Sequence, residues 1–221
     1  MEADVARLMA NERADLVFTD PPYNVDYGSS KNPRHKIPNL VSDNQTPNEW
    51  LSFNSAFIAN IKEYCDGDIY CWGAPGPEGE RQRVIFADMG CHWSATIIWN
   101  KDQLVLTRAN YQRRYEPCFY GWFGKSTFRA GRTEIEVWDI PRPHDSKEHP
   151  TMKPIILCEK GIVNSSNYGN IVADFFGGSG STLIACEKLG RKCRMMEIDE
   201  HYCDVIIQRW QNFTGKEAIK L

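Results

Sequence analysis

The stretch from Asn170 to Leu189 leaves this chain little choice of architecture. Ile171-Val172-Ala173-Asp174 is short, apolar and β-branched, as a buried strand is. Phe175-Phe176-Gly177-Gly178-Ser179-Gly180 then turns the backbone through residues that tolerate tight curvature, and a helix runs to Leu189. Strand, glycine turn and helix bring the unpaired N–H groups of a helix start up to any ligand above the strand. Arg191–Ile198 reads as the next strand, with Glu197 at its carboxyl end. An acidic side chain about 20 residues beyond such a turn is where a nucleoside ribose is bound. The spacing is not that of a dinucleotide fingerprint, because Gly178-Ser179-Gly180 runs into Ser181-Thr182-Leu183. A Walker loop is excluded too, since no Gly-Lys-Ser or Gly-Lys-Thr follows.

A second strand-and-turn unit stands near the start. Ala14-Asp15-Leu16-Val17-Phe18 is a strand, and Thr19-Asp20-Pro21-Pro22-Tyr23-Asn24 follows it. Two prolines end any ladder, because they lack N–H donors and fix φ. Asp20 is thereby placed at a strand's carboxyl end, where open α/β sheets hold their ligands. Its carboxylate can accept one hydrogen of a planar amino group, and the carbonyl of Pro21 can accept the other. Tyr23 offers a face on which a nucleobase can stack, worth roughly 1–3 kcal/mol. Two acceptors on one amino group pull its nitrogen towards tetrahedral geometry and localise the lone pair for attack on an electrophilic carbon. The bland alternative is a diproline turn beside a packed tyrosine.

The rest of the chain alternates between the two periodicities. Helices are expected over 2–13, 48–65 (capped by Thr46 or Asn48), 78–90, 154–164 and 200–213. Trp50, Phe53, Phe57, Ile58 and Ile61 mark the buried face of the second, and Tyr202, Val205, Ile206 and Trp210 that of the last. Further strands are expected over 68–72, 94–100 and 115–122, with Pro117 suggesting an edge or a bulge in the last. Residues 133–148 read as irregular. The pattern predicts a single α/β domain over 1–221, with a mostly parallel sheet and helices on both faces. The long segment 24–48 carries Lys31, Arg34, His35 and Lys36, and its place after Asp20 suits a lid or a strand-gripping arm as well as a solvated loop.

Net charge is −3, so any nucleic-acid contact has to be local. Between Lys101 and Arg132 the balance reverses: Lys101, Arg108, Arg113, Arg114, Lys125, Arg129 and Arg132 face only Asp102 and Glu116, with aromatic residues interleaved. Basic plus aromatic is the footprint of a surface that grips phosphates and splayed bases. Eight scattered cysteines form no C-x-x-C pair, which argues against a zinc site or a disulfide scaffold and fits a reducing cytoplasm. No apolar run is long enough to span a membrane, and the first residues do not read as a signal peptide.

Together these motifs resemble the amino-group DNA methyltransferases that use S-adenosylmethionine, in the subgroup whose catalytic block precedes the cofactor block. Asp20-Pro21-Pro22-Tyr23 looks like that family's D-P-P-Y, and His149-Pro150-Thr151-Met152-Lys153-Pro154 is similar to its H-P-T-x-K-P segment. Phe176-Gly177-Gly178-Ser179-Gly180 matches its F-x-G-x-G loop, and Glu197 its ribose-binding acid. The resemblance implies a Rossmann-like methyltransferase fold with circularly permuted motif order. It implies an S-adenosylmethionine site at Asp174, Phe176, Gly178, Ser179, Gly180 and Glu197, with Thr151 and Lys153 near the methionine end. Asp20, Pro21, Pro22 and Tyr23 would hold a flipped base of double-stranded DNA. Lys31, Arg34, Arg108, Arg113, Arg114, Lys125 and Arg129 would meet the DNA, with target recognition in 101–148. That segment is short, which suits a short recognition sequence or help from a second subunit as a homodimer. No metal is implied. The expected activity is methylation of adenine N6 by a cytoplasmic enzyme of the restriction–modification type. Cytosine N4 methylation needs the same amino-group tool and is the alternative.

Two departures stand out. Phe175 replaces the proline of the family's D-P-F, and the family's Gly-Asp segment ahead of the first helix is missing. The second departure would suit a truncated product with weakened S-adenosylmethionine binding and an exposed sheet edge, and a non-catalytic DNA- or nucleotide-binding remnant is the alternative from a different class.

Overall fold

The structure, a computed structural model, describes residues 1–24, 45–105, 110–142 and 152–220. Its strands are β1 (Ala14–Thr19), β2 (Cys65–Trp72), β3 (His92–Val105), β4 (Arg113–Trp122), β5 (Val137–Asp139), β6 (Ile171–Asp174) and β7 (Lys192–Met195). They form one sheet in the order β5-β3-β4-β2-β1-β6-β7. All described strands run the same way except β4, which is antiparallel to both neighbours. The helices are α1 (Glu2–Met9), α2 (Pro47–Tyr64), α3 (Pro77–Asp88), α4 (Ile155–Ser165), α5 (Ser181–Leu189) and α6 (Glu200–Thr214).

The period-2 alternation of the strands splits the core in two. Val17, Ile69, Cys71, Phe119 and Ala173 face α1, α2 and α3, packing against Val5, Met9, Phe57, Ile58, Ile61 and Phe86. Their neighbours Leu16, Phe18, Tyr70, Trp72, Cys118 and Val172 face α4 and α5, packing against Leu157, Ile162, Ala185 and Cys186. The expected mostly parallel sheet with helices on both faces is therefore present, and none of the described helices is long and apolar enough to cross a membrane.

Several boundaries differ from the sequence reading. The first helix ends at Met9 rather than residue 13, because Ala10 and Asn11 take positive φ values of 50° and 65°. Pro117 marks neither an edge nor a bulge: β4 lies inside the sheet, and the described register shifts between β3 and β4 fall between Trp93 and Ala95 and between Asn100 and Val105. The Pro117 carbonyl accepts from Gly73 N at 3.0 Å, just past the last β2 pair, Trp72 with Cys118. A strand residue points its N and its O to the same side, so the donor that proline lacks falls beyond the end of β2. Residues 133–148 are not wholly irregular, since Val137–Asp139 adds a parallel edge strand to β3. The last helix sits shallow: Tyr202 is buried, while Val205, Ile206 and Trp210 are only partly so.

The second helix starts where the sequence puts a cap. Thr46 Oγ1 accepts from Glu49 N, and Glu49 Oε2 accepts from Thr46 N at 2.9 Å, closing a capping box. Thr46→Ala removes half of it and is expected to destabilise the chain by about 1 kcal/mol, a fall of roughly 2–4 °C in Tm by thermal unfolding.

Candidate active site

β1 and β6 lie side by side within the sheet, between β2 and the edge strand β7. β1 continues to α2 on one face, and β6 to α5 on the other. The chain ends that leave them diverge and open a crevice at the carboxyl edge, the position where doubly wound sheets bind ligands. A cleft of roughly 1100 Å³, counting space open to solvent, fills this position and is lined by Asp20–Tyr23 on one side and by Phe176, Gly178, Ser179 and Glu197 on the other. The two motifs, about 150 residues apart in sequence, thus share one cavity.

Asp174 ties the two strands together. Its Oδ1 accepts from Thr19 Oγ1 at 2.8 Å and from Phe176 N at 3.1 Å. Burial is the largest influence on this carboxyl and pushes it up to about 7, against hydrogen bonds that favour the charged form. Between about pH 4 and pH 7 the folded chain therefore keeps a proton that the unfolded chain has lost, and this group makes stability fall as pH rises through that window. Asp174→Asn keeps an acceptor for Thr19 and is expected to gain Tm relative to the parent as pH rises from 4 to 7, read by thermal unfolding at fixed ionic strength.

The glycine turn is held by the next strand and its loop. Gly178 and Gly180 have φ values of 51° and 82°, which side-chain-bearing residues rarely adopt. Gly177 N donates to Met196 O at 2.7 Å, and Gly178 N to Glu197 Oε2 at 2.7 Å. Glu197 Oε1 accepts from Ile198 N and Asp199 N at 2.8 and 3.0 Å. One carboxylate therefore clamps the turn after β6 to the turn after β7. Ser181 Oγ donates to Lys153 O at 2.8 Å, which fixes the lysine segment to the start of α5. Gly180 is the N-cap of α5 and shapes the turn from below, where a Cβ would press on Ile206.

Across the cleft, Asp20 sits in a dense polar cluster. Its Oδ1 accepts from Tyr23 Oη at 2.6 Å, and its Oδ2 accepts from Lys153 Nζ at 2.6 Å. Lys153 Nζ also donates to Tyr23 Oη at 3.1 Å and to Glu116 Oε2 at 2.9 Å. Lys101 Nζ donates to Glu116 Oε1. Lys153 is buried and lies 5.5 Å from the ring centroids of both Tyr23 and Trp72, and 5.9 Å from that of Trp99. Burial would lower this ammonium, but Asp20 and Glu116 outweigh it and raise it above the ordinary lysine range. Burial would likewise raise Glu116, but the two ammoniums hold it down at about 2. Lys101 is lowered by burial, with Glu116 opposing.

The predicted residues are not all brought together. Asp20, Pro21, Pro22, Tyr23, Lys153, Asp174, Phe176, Gly178, Ser179 and Glu197 line the cleft. Thr151, Lys31, Arg34 and Arg108 lie outside the described residues. Arg113 and Arg114 begin β4 at the cleft edge, since β4 runs against β2 and pairs Cys118 with Trp72. Lys125 and Arg129 follow the other end of β4, where Thr127 N donates to Asp68 Oδ1 and Arg129 N to Asn164 O. They occupy the opposite end of the sheet from Asp20. Glu116 and Lys101 are members of this polar cluster that sequence reasoning missed, having weighed only their charge in a patch. The available signal was a carboxylate opening the apolar run Pro117-Cys118-Phe119-Tyr120.

Comparison with known proteins agrees with this geometry. Residues 14–209 match the DNA methylase family of N6 and N4 enzymes. Type II methyltransferase M.HpaI of Haemophilus parainfluenzae is 27% identical over 93% of this chain and 71% of its own length. DNA adenine methyltransferase YhdJ of Escherichia coli K12 is 27% identical over 95% of this chain and 81% of its own. Among solved structures, the M1.HpyAVI complex with S-adenosylmethionine superposes with a TM-score of 0.70 at 20% identity, covering 94% of this chain and 95% of that one. The cytosine-N4-specific PvuII DNA methyltransferase gives 0.74 at 15% identity, over 96% and 88%. The fold is that of the S-adenosylmethionine-dependent methyltransferases. With a family match over nearly its whole length and both family motifs facing one cleft, the chain belongs to the N6/N4 family of DNA methylases.

Proposed function

We propose that the chain methylates the exocyclic N6 amino group of adenine in double-stranded DNA, with S-adenosylmethionine as donor. The observation that carries the reading is the placement of Asp20 and the Pro21–Tyr23 turn across one cleft from the glycine turn and Glu197. Bound S-adenosylmethionine supplies a methyl group made electrophilic by its sulfonium. The cleft suits that molecule on its own terms: the turn at Gly178 and Gly180 lets a ligand approach backbone, and Glu197 brings a carboxylate to the end where a ribose diol would sit. Phe176, Ser179 and Asp174 complete that half.

On the other half, the chain's own groups act on the target. Flipping a base out of the duplex costs a few kcal/mol of unstacking. Tyr23 offsets part of this by stacking, worth roughly 1–3 kcal/mol. Asp20 accepts one amino hydrogen and the Pro21 carbonyl the other, so the nitrogen lone pair is aimed into the cleft. Asp20 need not be a strong base, because the amino group turns acidic only once it has gained the methyl group. Positioning supplies most of the effect. Arg113 and Arg114, at the cleft edge, are suited to meet the phosphates beside the flipped base.

Cytosine N4 is the second reading, favoured by the structural likeness to the PvuII enzyme. Purified chain, methyl-labelled S-adenosylmethionine and unmethylated DNA of mixed sequence, digested to nucleosides, decide between them. Label in N6-methyl-2′-deoxyadenosine is the expected result. Label in N4-methyl-2′-deoxycytidine would move the target to cytosine, and no label in DNA would overturn the reading.

A further inference from the structure

Both oxygens of Asp20 are already engaged, one by the Tyr23 hydroxyl and one by the Lys153 ammonium, each at 2.6 Å. An incoming amino group therefore competes with both of them for the lone pairs of this carboxylate. Displacing Lys153 without a substitute would leave a buried ammonium, 8% exposed, uncompensated among Tyr23, Trp72 and Trp99. Such a charge is strongly unfavourable unless another carboxylate takes it. Glu116 Oε2 already shares this ammonium, 2.9 Å from Lys153 Nζ, and lies 3.3 Å from Tyr23 Oη, so it can hold both when Asp20 lets them go. Its other oxygen is held by Lys101, whose backbone carbonyl in turn accepts from Arg114 Nε at 2.9 Å. The same oxygen thus lies within reach of both groups that now occupy Asp20.

We propose that Glu116 is a positioning residue for methyl transfer: it receives Lys153 and the Tyr23 hydroxyl as the target base enters, and so frees Asp20 to accept the amino group. This rests on the amino-group methyltransferase reading above. Glu116 acts on Asp20 through Lys153 and the Tyr23 hydroxyl. Against its burial, the Lys153 and Lys101 ammoniums at its two oxygens hold this carboxyl down at about 2, which favours the anionic acceptor. A purely structural counter-ion would make a different prediction, because its loss would weaken the fold and not the chemical step selectively.

The test uses the full chain with labelled S-adenosylmethionine and saturating mixed-sequence DNA. Five proteins are compared: the parent, Glu116→Gln, Lys153→Gln, the double variant and Glu116→Asp. Glu116→Gln is expected to lower the transfer rate about thirtyfold, as misplaced groups near the chemistry do, with KM for both substrates moving less than about threefold. Calorimetry should show unchanged S-adenosylmethionine binding. In the Lys153→Gln background the same substitution should change the rate less than about threefold, because no ammonium then blocks Asp20. Glu116→Asp keeps the charge and should restore at least about a third of the lost rate; it also carries the test should Glu116→Gln fail to fold. A parent-like rate in Glu116→Gln, equal losses in both backgrounds, or an effect on KM alone overturns the proposal. A parent chain that labels no DNA brings down the methyltransferase reading and this proposal together, whereas an active parent with an indifferent Glu116→Gln sinks this proposal alone.

Discussion

Asp20→Ala is expected to slow methyl transfer at least about a thousandfold, close to 4 kcal/mol at the transition state, while S-adenosylmethionine binds as before. The size follows from what is lost. An acceptor aimed at an amino group as it turns tetrahedral acts most strongly in the transition state, and removing one such group typically lowers kcat about 100- to 1000-fold. Here the carboxylate also organises its surroundings, since it holds the Tyr23 hydroxyl and the Lys153 ammonium. The fold should survive the change, because Lys153 keeps Glu116 as a partner at 2.9 Å. The measurement is single-turnover transfer of labelled methyl groups to DNA alongside calorimetric titration with S-adenosylmethionine. A variant that retains more than about a tenth of the parent rate would show that Asp20 does not carry the amino group. A variant that loses cofactor binding as well would place Asp20 in the wrong half of the cleft.

Much of this was legible in the sequence because each motif is a local device. The run Ile171–Asp174, the glycines after it and Ser181–Leu189 specify strand, turn and helix through short-range chemistry, and the structure has them at those places. The same holds for β1 and its diproline, and for the cap of α2, which the sequence offered at Thr46 or Asn48 and the structure has at Thr46. What escaped was set by partners distant in the chain. Glu116 looks like one acid in a basic stretch until β4 turns antiparallel and sets it beside Lys153, 37 positions away. Pro117 reads as an edge signal until β2 proves to stop one residue short of needing its N–H. Lys125 and Arg129 share a basic stretch with Arg113 and Arg114, yet a ten-residue strand separates them to opposite ends of the sheet. The helix α3 shows the same limit: it buries Gln82 and Arg83, which no apolar periodicity announces. Gln82 Nε2 donates to Asn54 Oδ1 at 3.0 Å, so a pair of polar residues joins α3 to α2 where a hydrophobic contact was the natural expectation.

The other large effect is expected at Glu197. Glu197→Ala should weaken S-adenosylmethionine binding about 1000-fold or more, near 4 kcal/mol, and lower the transfer rate at fixed cofactor to match. Two losses combine. The first is the carboxylate's own contact with the cofactor ribose, as the proposed site has it. The second is preorganisation: Gly178 N, Ile198 N and Asp199 N all donate to this one side chain at 2.7–3.0 Å. Hydrogen bonds to a charged acceptor are each worth about 1.5–3 kcal/mol, and no other described acceptor replaces Glu197 for Gly178 N. Without it the turn between β6 and α5 is joined to the turn between β7 and α6 only through backbone bonds such as Gly177 N to Met196 O, and binding has to order more of both. Glu197→Gln separates the two losses. It keeps one acceptor oxygen for the 198–199 turn but sets an amide NH2 against Gly178 N, so its deficit should fall between those of the parent and the alanine variant. Calorimetry gives the binding constants, and thermal unfolding without cofactor shows whether the released turn also lowers stability. Parent-like affinity in Glu197→Ala would mean that the cofactor ribose lies elsewhere in the cleft and that the clamp between the two turns is incidental to binding.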